Sequence, residues 1–119
     1  MGKKKNQVIK KGDIIIYNNG PKPLGVKEQD EARPWLVVSE PELNKYTPFV
    51  WAIPFTTTVR KYPLTLIWDK DKAQTKTYGT LLVNQMTTID VQNRWTKVKE
   101  HTDYIPEEVY DFINAILGI

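Results

Sequence analysis

Cysteine is absent from the 119 residues, and histidine occurs once. The first absence removes disulfides, thiolate metal sites and cysteine nucleophiles together, and it fits a reducing, cytoplasmic setting. The second leaves His101 as the sole imidazole. A Ser-His-Asp triad would have to run through it, and neither a two-histidine zinc helix nor a Cys/His finger can be assembled. His101 lies in the polar stretch Glu100-His101-Thr102-Asp103 and reads as an ordinary surface histidine. No glycine-rich loop has the phosphate-cradling pattern. No apolar run comes near the roughly 20 residues that span a membrane. Lys10, Lys11 and Asp13 interrupt the apolar region a signal peptide needs, and Asn6 stands where a myristoylation signal takes Ser or Thr. A soluble, cytoplasmic chain with no membrane association and no cofactor is expected.

Acidic residues are missing from the first eleven positions, which hold five of the 17 basic side chains. The remaining 12 basic residues face 14 acidic ones, so the body is slightly acidic. Residues 1–11 read as a basic, flexible leader and residues 12–119 as a single domain, long enough to bury its own core. Lys3-Lys4-Lys5 is either a solvated tail or an aid to polyanion binding. A body of this balance would have to hold nucleic acid with a local groove rather than a uniformly basic surface.

What is present is a series of short strands with turn punctuation. Asp13–Tyr17 is the first, and Asn18-Asn19-Gly20-Pro21 and Pro23-Leu24-Gly25 break it. The following loop, to about residue 32, is long for a compact domain and therefore a candidate for function. Trp35–Ser39 and Phe49–Phe55 are apolar runs, the second with Pro54 near its end, as suits an edge or a bulge. Leu64 to Trp68 predicts a fourth strand, Asp69–Thr77 a charged hairpin loop, Leu81–Val83 a fifth strand and Arg94–Val98 a sixth. After Pro106, Glu107 and Glu108 suit a helix start. Val109, Phe112, Ile113, Ile116 and Leu117 form one apolar face, and Gly118 is the expected stop. Many short strands with one helix suggest a small, strongly bent barrel.

Three segments occur in a telling order: Gly12-Asp13 opening a strand, Glu28-Gln29 leading to Arg33-Pro34, and Pro54-Phe55-Thr56-Thr57 closing another strand. Gly79 to Gln85 and Thr87-Thr88-Ile89-Asp90 continue the order into the terminal helix. This set resembles the MazF/PemK family of toxin endoribonucleases over nearly the whole chain beyond residue 10. The resemblance implies a mainly β, SH3-like barrel of the MazF/PemK/CcdB type with a C-terminal helix, used as a homodimer. It also implies cleavage of single-stranded RNA at a short sequence without a metal, giving a 2′,3′-cyclic phosphate and a 5′-hydroxyl. The partner would be a cognate antitoxin whose tail fills the RNA groove, with DNA reached only through that antitoxin.

RNA transesterification fits a chain so poor in conventional catalytic groups, because the substrate brings its own nucleophile, the 2′-hydroxyl. The enzyme has to align it, move a proton and stabilise charge on the phosphorane. Arg33 and Thr56 stand at the two positions the family uses, as phosphate clamp and hydroxyl donor. A guanidinium with a pKa above 12 is a poor proton acceptor, which leaves Glu28 as the nearby base candidate. The resemblance and the side-chain chemistry together place Asn18, Asn19, Gln29, Thr57, Arg60, Lys61 and Gln85 as candidate RNA contacts. Simpler readings stand beside these. Arg33 would pair with Glu28 or Glu31, Thr56 would be an ordinary strand end, and Arg60-Lys61 would be a charged turn. The asparagines would serve turns, and most of Trp35, Trp51, Trp68 and Trp95 would pack in the core rather than stack on bases. Two functional alternatives remain: a CcdB-like toxin that binds DNA gyrase, and a non-catalytic small barrel that binds nucleic acid.

Overall fold

The computed structural model describes residues 8–17, 33–58 and 63–119. Seven strands form one antiparallel sheet: β1 Asp13–Tyr17, β2 Trp35–Val37, β3 Phe49–Thr56, β4 Thr65–Ile67, β5 Thr80–Leu82, β6 Thr87–Asp90 and β7 Thr96–His101. The helices are α1 Pro41–Tyr46, α2 Lys70–Ala73 and α3 Glu107–Leu117, with a 3-10 turn at Val83–Gln85. The strand order is β4-β5-β3-β2-β1-β7, and β6 pairs with β3. Among the described residues β4 and β7 end this path without pairing to each other, so hydrogen bonds do not close the sheet. The class is that expected, mainly β with a C-terminal helix.

The sheet branches at β3. One of its edges runs along β2, from Val37↔Ala52 to Trp35↔Pro54. Its other edge changes partner, pairing with β6 over Phe49–Ala52 and with β5 at Phe55 and Thr56. Pro54 falls in the gap between the two partners. Phe55 N–H donates to Pro34 O at 3.0 Å on the β2 side, so by alternation the missing Pro54 N–H faces the changeover, where no ladder bond is lost.

Alternation along these strands gives each face of the sheet its own apolar cluster. Ile14, Leu36, Ile53, Phe55 and Leu81 lie on one face with Trp68, Val83 and Val109. Ile15, Val37, Val50, Ala52 and Ile89 lie on the other, with Tyr17 and Trp35 at its margin. Helix α3 covers the first face: Val109 is fully buried, while Phe112 and Ile113 pack against the cluster. Its last turn departs from the expected buried stripe, with Ile116 and Leu117 exposed. Gly118 ends it in the left-handed region at φ 77°, its N–H donating to Asn114 O.

Residues just before Gly12 contact the body of the fold. Ile9 is buried in the second cluster, Asn44 Nδ2 donates to Ile9 O at 3.1 Å, and Lys11 pairs with Glu40 at 2.8 Å while lying over the Tyr110 ring. Ile9 and Lys11 thus pack on the body, while Val8 is exposed. The tryptophans also depart from expectation. Trp68 is buried and donates to Thr75 Oγ1, Trp35 is half-buried, and Trp51 and Trp95 are 41% and 61% exposed.

His101 is more than a surface histidine. It ends β7 opposite Asp13, and its Nδ1 lies 2.7 Å from the Asp13 carboxylate while Nε2 lies 2.8 Å from Asp103. Asp13 is only 3% exposed and also accepts from Lys10 N–H. The imidazole therefore bridges two carboxylates where β1 and β7 begin and end. Burial works to lower its pKa, but the bonds to Asp103 and Asp13 outweigh that and raise it. A raised folded pKa gives stability that is fully present below the unfolded value of about 6.5 and lost as pH rises through the folded one. Thermal melts between about pH 6 and pH 9 should show the midpoint falling across that window, and His101→Gln should flatten the profile. The imidazole is partly exposed, so screening keeps the effect small. A midpoint independent of pH in the parent protein would count against the bridge.

Candidate active site

Arg33 and Thr56 are 23 positions apart in sequence, and the sheet brings them into one row. β2 and β3 pair with a constant register through Trp35↔Pro54, and the bond from Phe55 N–H to Pro34 O extends it by one pair. Arg33 precedes β2 by two residues, and the same register carried one step further would set it opposite Thr56. Opposed residues of antiparallel strands point to the same face, here the face of Trp35 and Tyr17, whose rings meet edge-on at 5.5 Å. Arg33 is exposed, and no hydrogen bond or ion pair joins it to another described residue. Thr56 is half-buried, and its Oγ1 accepts from Thr58 N–H at 3.3 Å. Thr57 and Thr58 follow it, exposed.

The row continues across β3. Thr56 pairs with Thr80, and Thr80 in turn with Ile67. Gly79 makes this approach possible. It adopts φ 117°, and a Cβ on it would lie 2.1 Å from the Thr56 carbonyl oxygen. Sequence reasoning missed Thr80, because a threonine at a strand start carries no signal of its own. Only the register shows that it faces Thr56.

Other candidates are placed differently. Gln85 closes the 3-10 turn, which packs against α3 on the opposite side of the sheet, so the fold does not bring it into this row. Glu28, Gln29, Asn18, Asn19, Arg60 and Lys61 lie outside the described residues. Gly12 and Asp13, part of the motif resemblance, serve the β1–β7 junction. Gly12 N–H donates to Val37 O, Thr102 N–H donates to Gly12 O, and Asp13 holds His101. Among the described residues no group of three or more His, Cys, Asp or Glu is placed to hold a metal ion, and no helix is long and apolar enough to cross a membrane.

Residues 10–119 match the family described as PemK-like, MazF-like toxin of type II toxin-antitoxin system. The chain belongs to this family. Solved structures carry the same fold. MazF from Deinococcus radiodurans superposes with a TM-score of 0.72 at 23% identity, covering 96% of this chain and 100% of its own. MazF in a MazE-MazF complex from the same organism gives 0.68 at 23% identity, covering 95% of each chain. A mycobacterial endoribonuclease in complex with its cognate antitoxin gives 0.68 at 22% identity, covering 93% of this chain and 96% of its own. Among curated proteins none matches the chain significantly. In this MazF/PemK-type toxin an exposed arginine precedes β2 and a threonine ends the neighbouring β3.

Proposed function

We propose that this toxin is an endoribonuclease that cuts single-stranded RNA, mRNA included, at a short sequence by transesterification. The observation that supports the reading is the β2–β3 register, which carried two residues beyond Trp35↔Pro54 would bring Arg33 across from Thr56, with Arg33 exposed and unpaired among the described residues. The 2′-hydroxyl of the substrate attacks the adjacent phosphorus and the bond to the 5′-oxygen breaks. The products are a 2′,3′-cyclic phosphate and a 5′-hydroxyl. The Arg33 guanidinium presents paired N–H donors to the non-bridging oxygens, where charge builds in the phosphorane. Thr56 Oγ1–H donates beside it. The proton leaving the 2′-hydroxyl goes to a base, for which Glu28 is the candidate, and the 5′-oxygen is protonated as it departs.

Because the nucleophile belongs to the substrate, this route needs no metal. The complexes of similar proteins with MazE or a cognate antitoxin support an antitoxin partner for this chain as well. A homodimer suits the apolar side chains left exposed at the end of α3 and on β3, Ile116, Leu117, Phe49 and Trp51 among them. The test is incubation of the purified protein with a mixed-sequence single-stranded RNA in excess EDTA. Cuts ending in a cyclic phosphate are expected. Intact RNA with a folded protein would sink the reading.

A further inference from the structure

Thr80 has no exposed surface, and among the described residues its Oγ1 is the buried side-chain polar atom that lacks a hydrogen-bond partner. A hydroxyl sealed from water without a partner is destabilising, and a valine of the same shape would avoid the penalty. This orphan stands directly across from Thr56. Opposed residues on one face bring their Cβ atoms to about 4.5–5.5 Å, a separation at which paired threonines hydrogen-bond.

We propose that Thr80 is a positioning residue for Thr56, its hydroxyl donating to Thr56 Oγ1 when RNA occupies the site and so directing the Thr56 proton to the scissile phosphate. The proposal rests on the ribonuclease reading above. A threonine hydroxyl has one proton and two lone pairs. Thr56 Oγ1 already accepts one bond from Thr58 N–H, a long one at 3.3 Å. A second acceptor position filled by Thr80 leaves the Thr56 O–H only one useful direction, outward to the phosphate clamped by Arg33. The row Arg33, Thr56, Thr80 runs from exposed through half-buried to buried. Charge recognition thus sits at the surface and proton direction beneath it. The movement this requires is a rotation of Thr80 about χ1, which exchanges its methyl and hydroxyl between staggered positions. Gly79, packed against the Thr56 carbonyl, holds β5 at that level.

The experiment compares the parent protein, Thr80→Val and Thr80→Ser for cleavage of mixed-sequence RNA over a range of RNA concentrations, with melting midpoints measured in parallel. Thr80→Val is expected to melt no lower than the parent while its kcat falls about tenfold at unchanged KM. Thr80→Ser should keep kcat within about twofold, because it retains the hydroxyl. A purely structural threonine cannot give lower turnover together with equal or higher stability. Parent-like kcat in Thr80→Val overturns the proposal, as does a loss that serine fails to restore or one confined to KM. A parent protein that leaves RNA intact removes the ribonuclease reading and this role with it. A parent that cuts beside an equally active Thr80→Val removes only the role of Thr80.

Discussion

Arg33→Ala is expected to lower single-turnover RNA cleavage by about a thousandfold while leaving the melting midpoint almost unchanged. The two halves of that expectation have different sources. The catalytic loss follows from removing a fixed cation where negative charge develops on the phosphorane oxygens. The small stability change follows from the position of Arg33, exposed, just outside β2 and unbonded to any described residue. Surface changes of that kind stay within about 0.5 kcal/mol. Arg33→Lys separates charge from shape, because an ammonium keeps the attraction but loses the planar pair of donors, and should recover only part of the rate. Thr56→Val removes a neutral donor and should cost less, about a hundredfold. A folded Arg33→Ala that cuts RNA at the parent rate would remove the arginine from the chemistry and return the row to an ordinary sheet margin.

The parts of this fold that were legible in the sequence are those whose pattern is local. β1 and β3 announce themselves by apolar runs. Helix α3 does so through its 3.6-residue stripe, its first-turn acids and Gly118. β6 was missed as a strand because Thr87, Thr88 and Asp90 are polar, and only pairing with Phe49–Ala52 makes it one. Helix α2 is four residues long, too short for any periodicity, so the predicted hairpin loop hid it. Its one signal is Asp69, whose carboxylate accepts from Lys72 N–H at the helix start. Helix α1 is marked only by Pro41 in its first turn. β7 runs on to His101 rather than stopping at Val98: Lys99, Glu100 and His101 are all polar and carry no apolar signal, so only their pairing with β1 reveals the end of the strand.

For the candidate site, the sequence offers residues but no geometry. Motif order offers Arg33 and Thr56 separately, whereas the β2–β3 register that brings their segments side by side is encoded by no spacing within either segment. The same holds for Thr80 opposite Thr56 and for His101 beside Asp13, pairs 24 and 88 positions apart. Exposure of Trp51 and Trp95 was equally hidden. An apolar residue in a strand pattern says only that one face is buried, and the far half of β3 carries its Phe49 and Trp51 beyond the part of the sheet that α3 covers.

Gly79→Ala should be the most disruptive single-methyl change near the site, with a stability loss of about 3 kcal/mol and cleavage reduced with it. Two costs combine. At φ 117° an alanine is strained wherever it sits. In addition its Cβ would lie 2.1 Å from Thr56 O and 3.0 Å from Thr56 C, both rigid backbone atoms, so β5 and β3 would have to separate at the pair that carries Thr56 and Thr80. Gly118→Ala isolates the first cost. That glycine also has a positive φ, 77°, but a Cβ there meets nothing within 4 Å, and strain alone amounts to about 1 kcal/mol. Urea unfolding of both variants beside the parent measures the difference. If Gly79→Ala loses no more than Gly118→Ala, the β3–β5 contact yields easily and does not hold Thr80 against Thr56. If it loses far more and cleavage falls beyond the fraction unfolded, the spacing of those two strands sets the geometry of the site.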